Sequence, residues 1–284
     1  MNGFDQPRGT EQNVERARRI EDHLRLSTLP VGIKFYRELS DMPEELGEKP
    51  DYSGTFCQFI SQSRFERCQI RKNFRLTRET ISCPFSPGIL GFEAWTGHIA
   101  TGEHMGGVHF EDAAAARLSQ KDIPRLEPFS IEAVLVGPLM DFEVEPDVIS
   151  FAIVPGMSNK VLDGQMWRTG KPKEMVYYNV CGICGAGVAQ AYNQKDLFIS
   201  FPCHGGRRIG MFTDTELFVA LHTKFFEEWI LGMGKSYVTG HSFPVGHMLR
   251  PNPPLPPHFK IVKWPDKIVP LSQWQEEQRK KEDR

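Results

Sequence analysis

The chain of 284 residues is long enough for one large domain or two small ones with a real core. Its formal net charge of -2 argues against a general nucleic-acid binder, because phosphate binding needs a strong basic excess. No apolar run approaches the roughly 20 residues of a membrane span, and Met1 to Thr10 lacks the apolar core of a signal peptide, so we expect a cytoplasmic protein with no membrane partner.

The chain contains six cysteines, too few for its length to indicate a disulfide scaffold. We therefore expect free thiols in a reducing compartment, each serving as core filler, metal ligand or nucleophile. A single cysteine is more often a small buried hydrophobe than a ligand. The function of each cysteine therefore has to be inferred from the residues around it.

The first part of the chain is predicted to alternate helix and strand. Apolar residues three and four apart predict a helix from Glu11 to Ser27. Alternation predicts a strand at Val31 to Tyr36, in which Lys34 faces away from the apolar side chains. A second helix is expected from Phe56 to about Gln69. The residues from Arg64 to Arg75 make a basic stretch, which we interpret as a solvated helix face or as a contact for an acidic partner.

The middle of the chain alternates further predicted strands and helices. We expect strands at Ile131 to Leu139, Val148 to Val154, Met175 to Val180, Leu197 to Phe201 and Leu217 to Leu221. We expect helices at Glu111 to Gln120, Ser158 to Trp167 and Lys224 to Met233, and a short one that ends at Tyr192. This order predicts an α/β or α+β fold, with a mixed sheet flanked by helices.

The last part of the chain has a different composition. The prolines that follow Arg250 exclude helix and most sheet, while large apolar residues from Phe259 to Trp274 favour an arm that packs. We therefore expect an N-terminal helix at 1–28, a single domain at 29–249 and an extended Pro-rich arm at 250–284. The arm is expected to contact the domain surface, a partner protein or another subunit of a homo-oligomer.

The most informative stretch is FPCHGGRR at 201–208. A strand of buried character ends there, and Cys203 and His204 follow its proline. Two glycines and two arginines come next, namely Gly205, Gly206, Arg207 and Arg208. A thiol, a flexible backbone and fixed positive charge within so short a span predict a functional site at the end of a strand.

The remaining cysteines leave three kinds of site open. Cys181 and Cys184 form a CxxC pair, which occurs in redox motifs, in zinc sites and by chance. Structural zinc usually takes two such pairs, and a nucleophilic thiol needs a base that faces it, whereas His204 is adjacent to Cys203. An iron–sulfur cluster accepts dispersed thiolates, so the residues alone rank it first of the three.

Several motifs point to one family. They are PVGIKF at 30–35, FCQ at 56–58, SCP at 82–84 with GILG at 88–91, and FPCHGGRRIG at 201–210 followed by Asp214 and Glu216. Together they resemble DUF169, a family of unknown function found in archaea and anaerobic bacteria. The resemblance runs from about Leu29 to Met248, and its last motif is the most specific.

The resemblance implies that Cys57, Cys83, Cys184 and Cys203 are recurring thiols of the family. Four thiols brought together by the fold are the ligand set of a [4Fe-4S] cluster, so we expect these four cysteines to be its metal ligands. Cys181 is an addition in this chain and an alternative ligand to Cys184. Further departures are Cys68, the Gly206 and His204 that replace a usual Asp and Asn, and an apparent insertion from Gly97 to His109 with His98, His104 and His109.

Charged and polar residues near these thiols have expected roles. His204 is interpreted as a proton donor or as a hydrogen-bonded structural histidine. Lys34, Arg207, Arg208 and the amides of Gly205 and Gly206 are expected to balance the charge of the cluster or to hold an anionic substrate. The alternative is that Lys34 is a solvated edge lysine and that the two arginines are a surface pair. Asp214 and Glu216 are interpreted as a solvated acidic pair.

These residues support three functional hypotheses. The first is an oxygen-sensitive iron–sulfur enzyme, an oxidoreductase or lyase, which acts on a small anionic substrate by electron transfer or Lewis-acid chemistry. If only three thiols bind, the fourth iron is open to substrate and the added histidines line its pocket. The second is an electron-transfer or accessory protein that docks on a redox partner. The third is a zinc or thiol protein without a cluster.

Overall fold

The computed structural model describes residues 7–65, 73–173 and 175–236, together with Lys280. The chain divides into two units, and the fold below is that of the first, Met1–Ser242. The second unit, Phe243–Arg284, contains the arm predicted at 250–284, which lies outside the described residues except for Lys280.

One antiparallel sheet organises the described part of the chain. Its strands are β1 (Val31–Tyr36), β2 (Phe74–Thr77), β3 (Ala133–Pro138), β4 (Val148–Ile153), β5 (Leu197–Ser200) and β6 (Leu217–His222). Their order is β2-β3-β1-β4-β6-β5, and each pair of neighbours is antiparallel. With the helices below, this sheet confirms the α+β form of the predicted fold class.

The expected mixed sheet is therefore antiparallel throughout its described strands. The strands β3, β4 and β6 are buried along their whole length. Continuous apolar runs of this kind are typical of parallel strands that lie between two helical layers. Here the same pattern arises because helices cover both faces of an antiparallel sheet.

The helices form a layer on each face of the sheet. They are α1 (Glu11–His23), α2 (Phe56–Phe65), α3 (Ser86–Ile89), α4 (Gly97–Ala100), α5 (Ala113–Gln120), α6 (Ser158–Met166), α7 (Gln190–Gln194), α8 (His204–Arg208) and α9 (Phe226–Lys235), with a π-helix at Gly182–Ala189. On one face, Ile33 of β1 shares a core with Phe56 of α2 and Ile183 of the π-helix. On the other, Phe151 of β4 stacks on Trp229 of α9, with ring centroids 5.7 Å apart.

One predicted strand is absent from the described residues, and one observed strand was not predicted. The described part of the predicted strand Met175 to Val180 pairs with no described strand, and Val176 and Tyr177 are exposed there. The sequence shows the alternation of a strand, but Tyr177 contacts Phe201, the residue after edge strand β5, through its ring and not through a strand ladder. Conversely, the short edge strand β2 was not predicted. It has only four residues, and it begins inside the basic stretch that ends at Arg75.

Two glycines allow α6 and α9 to pack closely. A Cβ atom at Gly232 would lie 2.4 Å from the carbonyl oxygen of Gly164, and one at Gly164 would lie 2.6 Å from Met233 Cγ. Such distances leave no room for a methyl group. The indole N–H of Trp229 donates to the carbonyl of Val161 at 3.1 Å and fixes the same contact.

The change Gly232→Ala should therefore destabilise the fold, even though alanine is the better helix former by about 1 kcal/mol. We expect a loss of roughly 1–3 kcal/mol in the free energy of unfolding, measured with urea, because the helices must move apart. Leu231→Ala is the matched control on the same helix, since Leu231 is 53% exposed. A stabilised Gly232→Ala protein would contradict the close packing.

Candidate functional site

Five of the six cysteines line one cavity of about 340 Å³. They are Cys57, Cys83, Cys181, Cys184 and Cys203. The four thiols expected as metal ligands are all among them, so the fold brings this predicted set together. The sixth, Cys68, lies outside the described residues.

Four separate segments deliver these thiols. Cys57 is in the first turn of α2, and Cys83 precedes α3 by three residues. Cys184 lies in the π-helix, for which Cys181 is the N-cap residue. Cys203 is the N-cap residue of α8, directly after β5. The cavity therefore forms only when the whole α+β unit folds.

Glycines let these segments approach one another. A Cβ atom at Gly182 would lie 2.0 Å from the carbonyl oxygen of Phe201, and one at Gly210 would lie 2.7 Å from Cys57 Cβ. The hydroxyl of Ser200 also donates to the carbonyl of Gly182 at 2.7 Å. These contacts hold the π-helix and α2 against the segment that carries Cys203.

Burial controls the protonation of most of these thiols. Burial raises the pKa of Cys57 well above its usual range, and the neighbouring Cys203, Cys184 and Cys83 raise it further. Burial likewise raises the pKa of Cys83. Cys184 differs, because a hydrogen bond with Cys181 lowers its pKa and raises that of its partner. Several thiolates this close together would need a cation among them.

A buried hydroxyl also faces the thiols. Ser86 lines the cavity and is fully buried, yet its Oγ atom has no hydrogen-bond partner of good geometry. It nevertheless lies close enough to Cys83 and Cys184 to favour their thiolate forms. Such a hydroxyl is able to donate a hydrogen bond to a group bound among the thiols.

Histidines surround the mouth of the cavity. His104, His109 and His204 line it, and all three are exposed to solvent. The rings of His109 and His204 lie edge to face with centroids 5.3 Å apart, and His98 lies 5.4 Å from His104. The loop interpreted as an insertion thus contributes two imidazoles to the site, next to the predicted His204.

The cationic residues predicted for the site do not line this cavity. The Nζ atom of Lys34 lies 3.0 Å from the carboxylate of Asp147 and joins β1 to the residue before β4. Arg207 lies 3.5 Å from Asp214, and Arg208 is exposed. Imidazoles are the only basic side chains among the described lining residues. Of the two predicted glycines, Gly205 lines the cavity, whereas Gly206 is buried.

A buried ion pair supports the site, and the sequence interpretation missed it. The guanidinium of Arg64 donates to both carboxylate oxygens of Glu216, at 2.7 and 3.2 Å, and to the carbonyl of Met211 at 3.0 Å. It also lies 3.9 Å from the ring centroid of Phe212. The expectation that Arg64 and Glu216 lie on solvated faces is therefore wrong, because both side chains lie inside the fold. Glu216 was separated from Arg64 by too many residues for a local pattern to pair them.

The rest of the basic stretch is described only in part. Arg75 is half-buried in β2, while Arg67, Arg71 and Lys72 lie outside the described residues. The expectation that this stretch contacts an acidic partner stays a prediction.

No three His, Cys, Asp or Glu side chains within the described ranges are arranged to hold a metal ion. Among these same residues, no helix is both long and apolar enough to cross a membrane.

The family model of DUF169, described as "Uncharacterised ArCR", matches residues 19–231. The chain therefore belongs to the DUF169 family, as its motifs suggested. The matched region contains all five cysteines of the cavity and both residues of the buried ion pair. No curated protein and no solved structure matches the chain.

Replacing Glu216 by Gln should destabilise the protein, because it leaves the buried Arg64 without a counter-charge. Removing one partner of a buried ion pair costs about 3–5 kcal/mol, and we expect that loss in urea unfolding at neutral pH. Asp214→Asn is the matched control, because Asp214 is 99% exposed. An exposed pair contributes little, so the control should change the free energy of unfolding by less than about 1 kcal/mol.

The effect of Glu216→Gln should also depend on pH. Burial raises the pKa of the Glu216 carboxyl, but hydrogen bonds from Arg64 and Thr213 outweigh burial, so the net pKa lies below its usual range. The contribution of the ionised carboxylate is complete above the usual Glu pKa of about 4.3 and is lost as the pH falls through the lowered folded value. The difference between wild type and variant should therefore shrink in acid. A difference that stays constant would show that the charge of Glu216 is unimportant.

Proposed function

We propose that the chain is a cytoplasmic iron–sulfur protein in which Cys57, Cys83, Cys184 and Cys203 bind a [4Fe-4S] cluster. We further propose that it is an enzyme that acts on a small anionic substrate. The observation that carries the proposal is the convergence of thiols from four segments on one cavity.

The side chains around the thiols fit such a group. In an iron–sulfur cluster each thiolate binds a different iron. The ligands therefore surround a cavity that holds the cluster and do not converge on a single ion. The proposal rests on this shared cavity, and not on a set of residues arranged around a single ion. The unpartnered hydroxyl of Ser86 gives the bound group a hydrogen-bond donor.

The mouth of the cavity fits the chemistry of a small anion. When bound, the cluster would supply electrons or act as a Lewis acid toward the substrate. The side chains of Phe85, Met105 and Ile209 line the cavity and restrict water. The imidazoles of His109 and His204 stand at its mouth, where they would donate hydrogen bonds and a proton to an anionic ligand. In this proposal the imidazoles take the role first assigned to Lys34 and the arginines.

Metal analysis of protein purified without oxygen tests the proposal. We expect iron and acid-labile sulfide in equal amounts, together with the broad visible absorption of sulfur-to-iron charge transfer. Cys203→Ser should lose most of this iron, because it removes one thiolate ligand. Cys181→Ser is the matched control from the same cavity and should keep its iron, since Cys181 is not among the proposed ligands.

Two results would reject the cluster. The first is a colourless protein that contains zinc instead of iron. The second is an iron content that is unchanged in Cys203→Ser, provided that far-ultraviolet circular dichroism shows the variant to be folded.

A second candidate function is electron transfer to a partner protein. The exposed side chains of Tyr177, Phe201 and Met211 lie in the segments around the cavity, and the Tyr177 and Phe201 rings are in contact at 4.5 Å. Exposed apolar groups of this kind are typical of protein contacts. The two functions differ in one measurable respect. An oxidoreductase would convert its substrate with an artificial electron donor, and a lyase without any donor, whereas a carrier would need the partner protein.

A further inference from the structure

The cavity contains one thiol more than a four-ligand cluster uses. Cys181 and Cys184 both line it, each is only 4% exposed, and each thiol shifts the pKa of the other. No other cysteine pair in the described residues is so close in sequence. Cys181 therefore needs an explanation that the proposed ligand set does not give.

The backbone places these two cysteines in one helical turn. Cys181 has the left-handed conformation, with φ 56° and ψ 30°, which is unfavourable for a residue with a side chain. Its carbonyl accepts from the amides of Gly185 and Ala186, at 2.9 and 3.0 Å, and this closes the first turn of the π-helix. A Cβ atom at Gly185 would lie 3.3 Å from Cys181 Cβ. The absence of a side chain at Gly185 thus leaves space for the Cys181 thiol beside Cys184.

We propose that Cys181 and Cys184 are a redox-active dithiol, which exchanges with low-molecular-weight disulfides and closes to an intramolecular disulfide. The pair needs no movement of the sheet to react, because both residues belong to one helical turn. The cavity, whose mouth is exposed, gives a small disulfide access to them. This chemistry requires no metal.

The exchange has two steps. The Cys184 thiolate attacks one sulfur of the small disulfide, a mixed disulfide forms, and one small thiolate leaves and takes up the proton that Cys184 released. The Cys181 thiolate then attacks the Cys184 sulfur, which forms the Cys181–Cys184 bond and releases the second small thiol with the second proton. The protein loses two electrons and two protons, and the small disulfide gains them as two thiols.

The disulfide also has a consequence for the metal, and this consequence rests on the proposed function. Cys184 is a proposed ligand, so a Cys181–Cys184 bond removes it from the set. Oxidised protein would then take up iron only after reduction. The dithiol would act as a thiol-dependent control of cluster assembly.

Mass spectrometry of the full-length, metal-free protein tests the dithiol. The protein is reduced, freed of reductant and incubated anaerobically with bis(2-hydroxyethyl) disulfide, after which free thiols are blocked with N-ethylmaleimide in denaturant. We expect two of the six thiols to escape blocking, and peptide mapping to join Cys181 to Cys184. Cys181→Ser should instead keep a mixed disulfide on Cys184, and Cys68→Ser, the matched control, should still close the bond.

The proposal is overturned if all six thiols of the wild type remain free, if the mixed disulfide accumulates without closing, or if a different pair is joined. Iron uptake by the oxidised and reduced protein is measured separately. A Cys181–Cys184 bond in a protein that never binds iron would reject the cluster and keep the dithiol. Iron uptake without any such bond would reject the dithiol and keep the cluster.

Discussion

Arg64 and Glu216 form a buried ion pair that joins α2 to the segment that follows Cys203. The same guanidinium also donates to the carbonyl of Met211, so one side chain fixes the path of the loop after α8. Cys57 lies in the first turn of α2, and Cys203 is the N-cap residue of α8. The distance between Cys57 and Cys203 thus depends on this ion pair. Arg64 lies about two helical turns after Cys57, and Glu216 lies beyond the loop that follows α8. A charge removed from water in this way is stable only when its partner is in place, so the cavity and the fold should be lost together.

The charge of the cavity differs from that of the surrounding surface. Lys34 is paired with Asp147, and Arg207 lies near Asp214, whereas the lining among the described residues has only imidazoles as basic groups. The fixed positive charges of Lys34 and Arg207 therefore lie beside carboxylates outside the cavity, while the lining combines thiols with imidazoles.

Much of the fold was accessible from local patterns. The strands around Ile33, Ile149 and Val219 and the helix around Trp229 were predicted because their apolar periodicity is strong. The antiparallel pairing was not, since β3, β4 and β6 are buried on both faces and resemble parallel strands. The segment around Tyr177 shows the reverse error, because its pattern is that of a strand but no strand forms. A strand needs a partner strand beside it, and a local pattern does not reveal whether there is one.

Local patterns and family motifs were enough to identify the chemical type of the site residues and the family to which the chain belongs. The resemblance marked Cys57, Cys83, Cys184 and Cys203 as a set. The folded structure was needed to show that these thiols share a cavity and that histidines, not arginines, lie at its mouth. The physical reason is the same in each case. Proximity between residues far apart in sequence, and the direction of a long charged side chain, are fixed by packing and ion pairing across the whole fold.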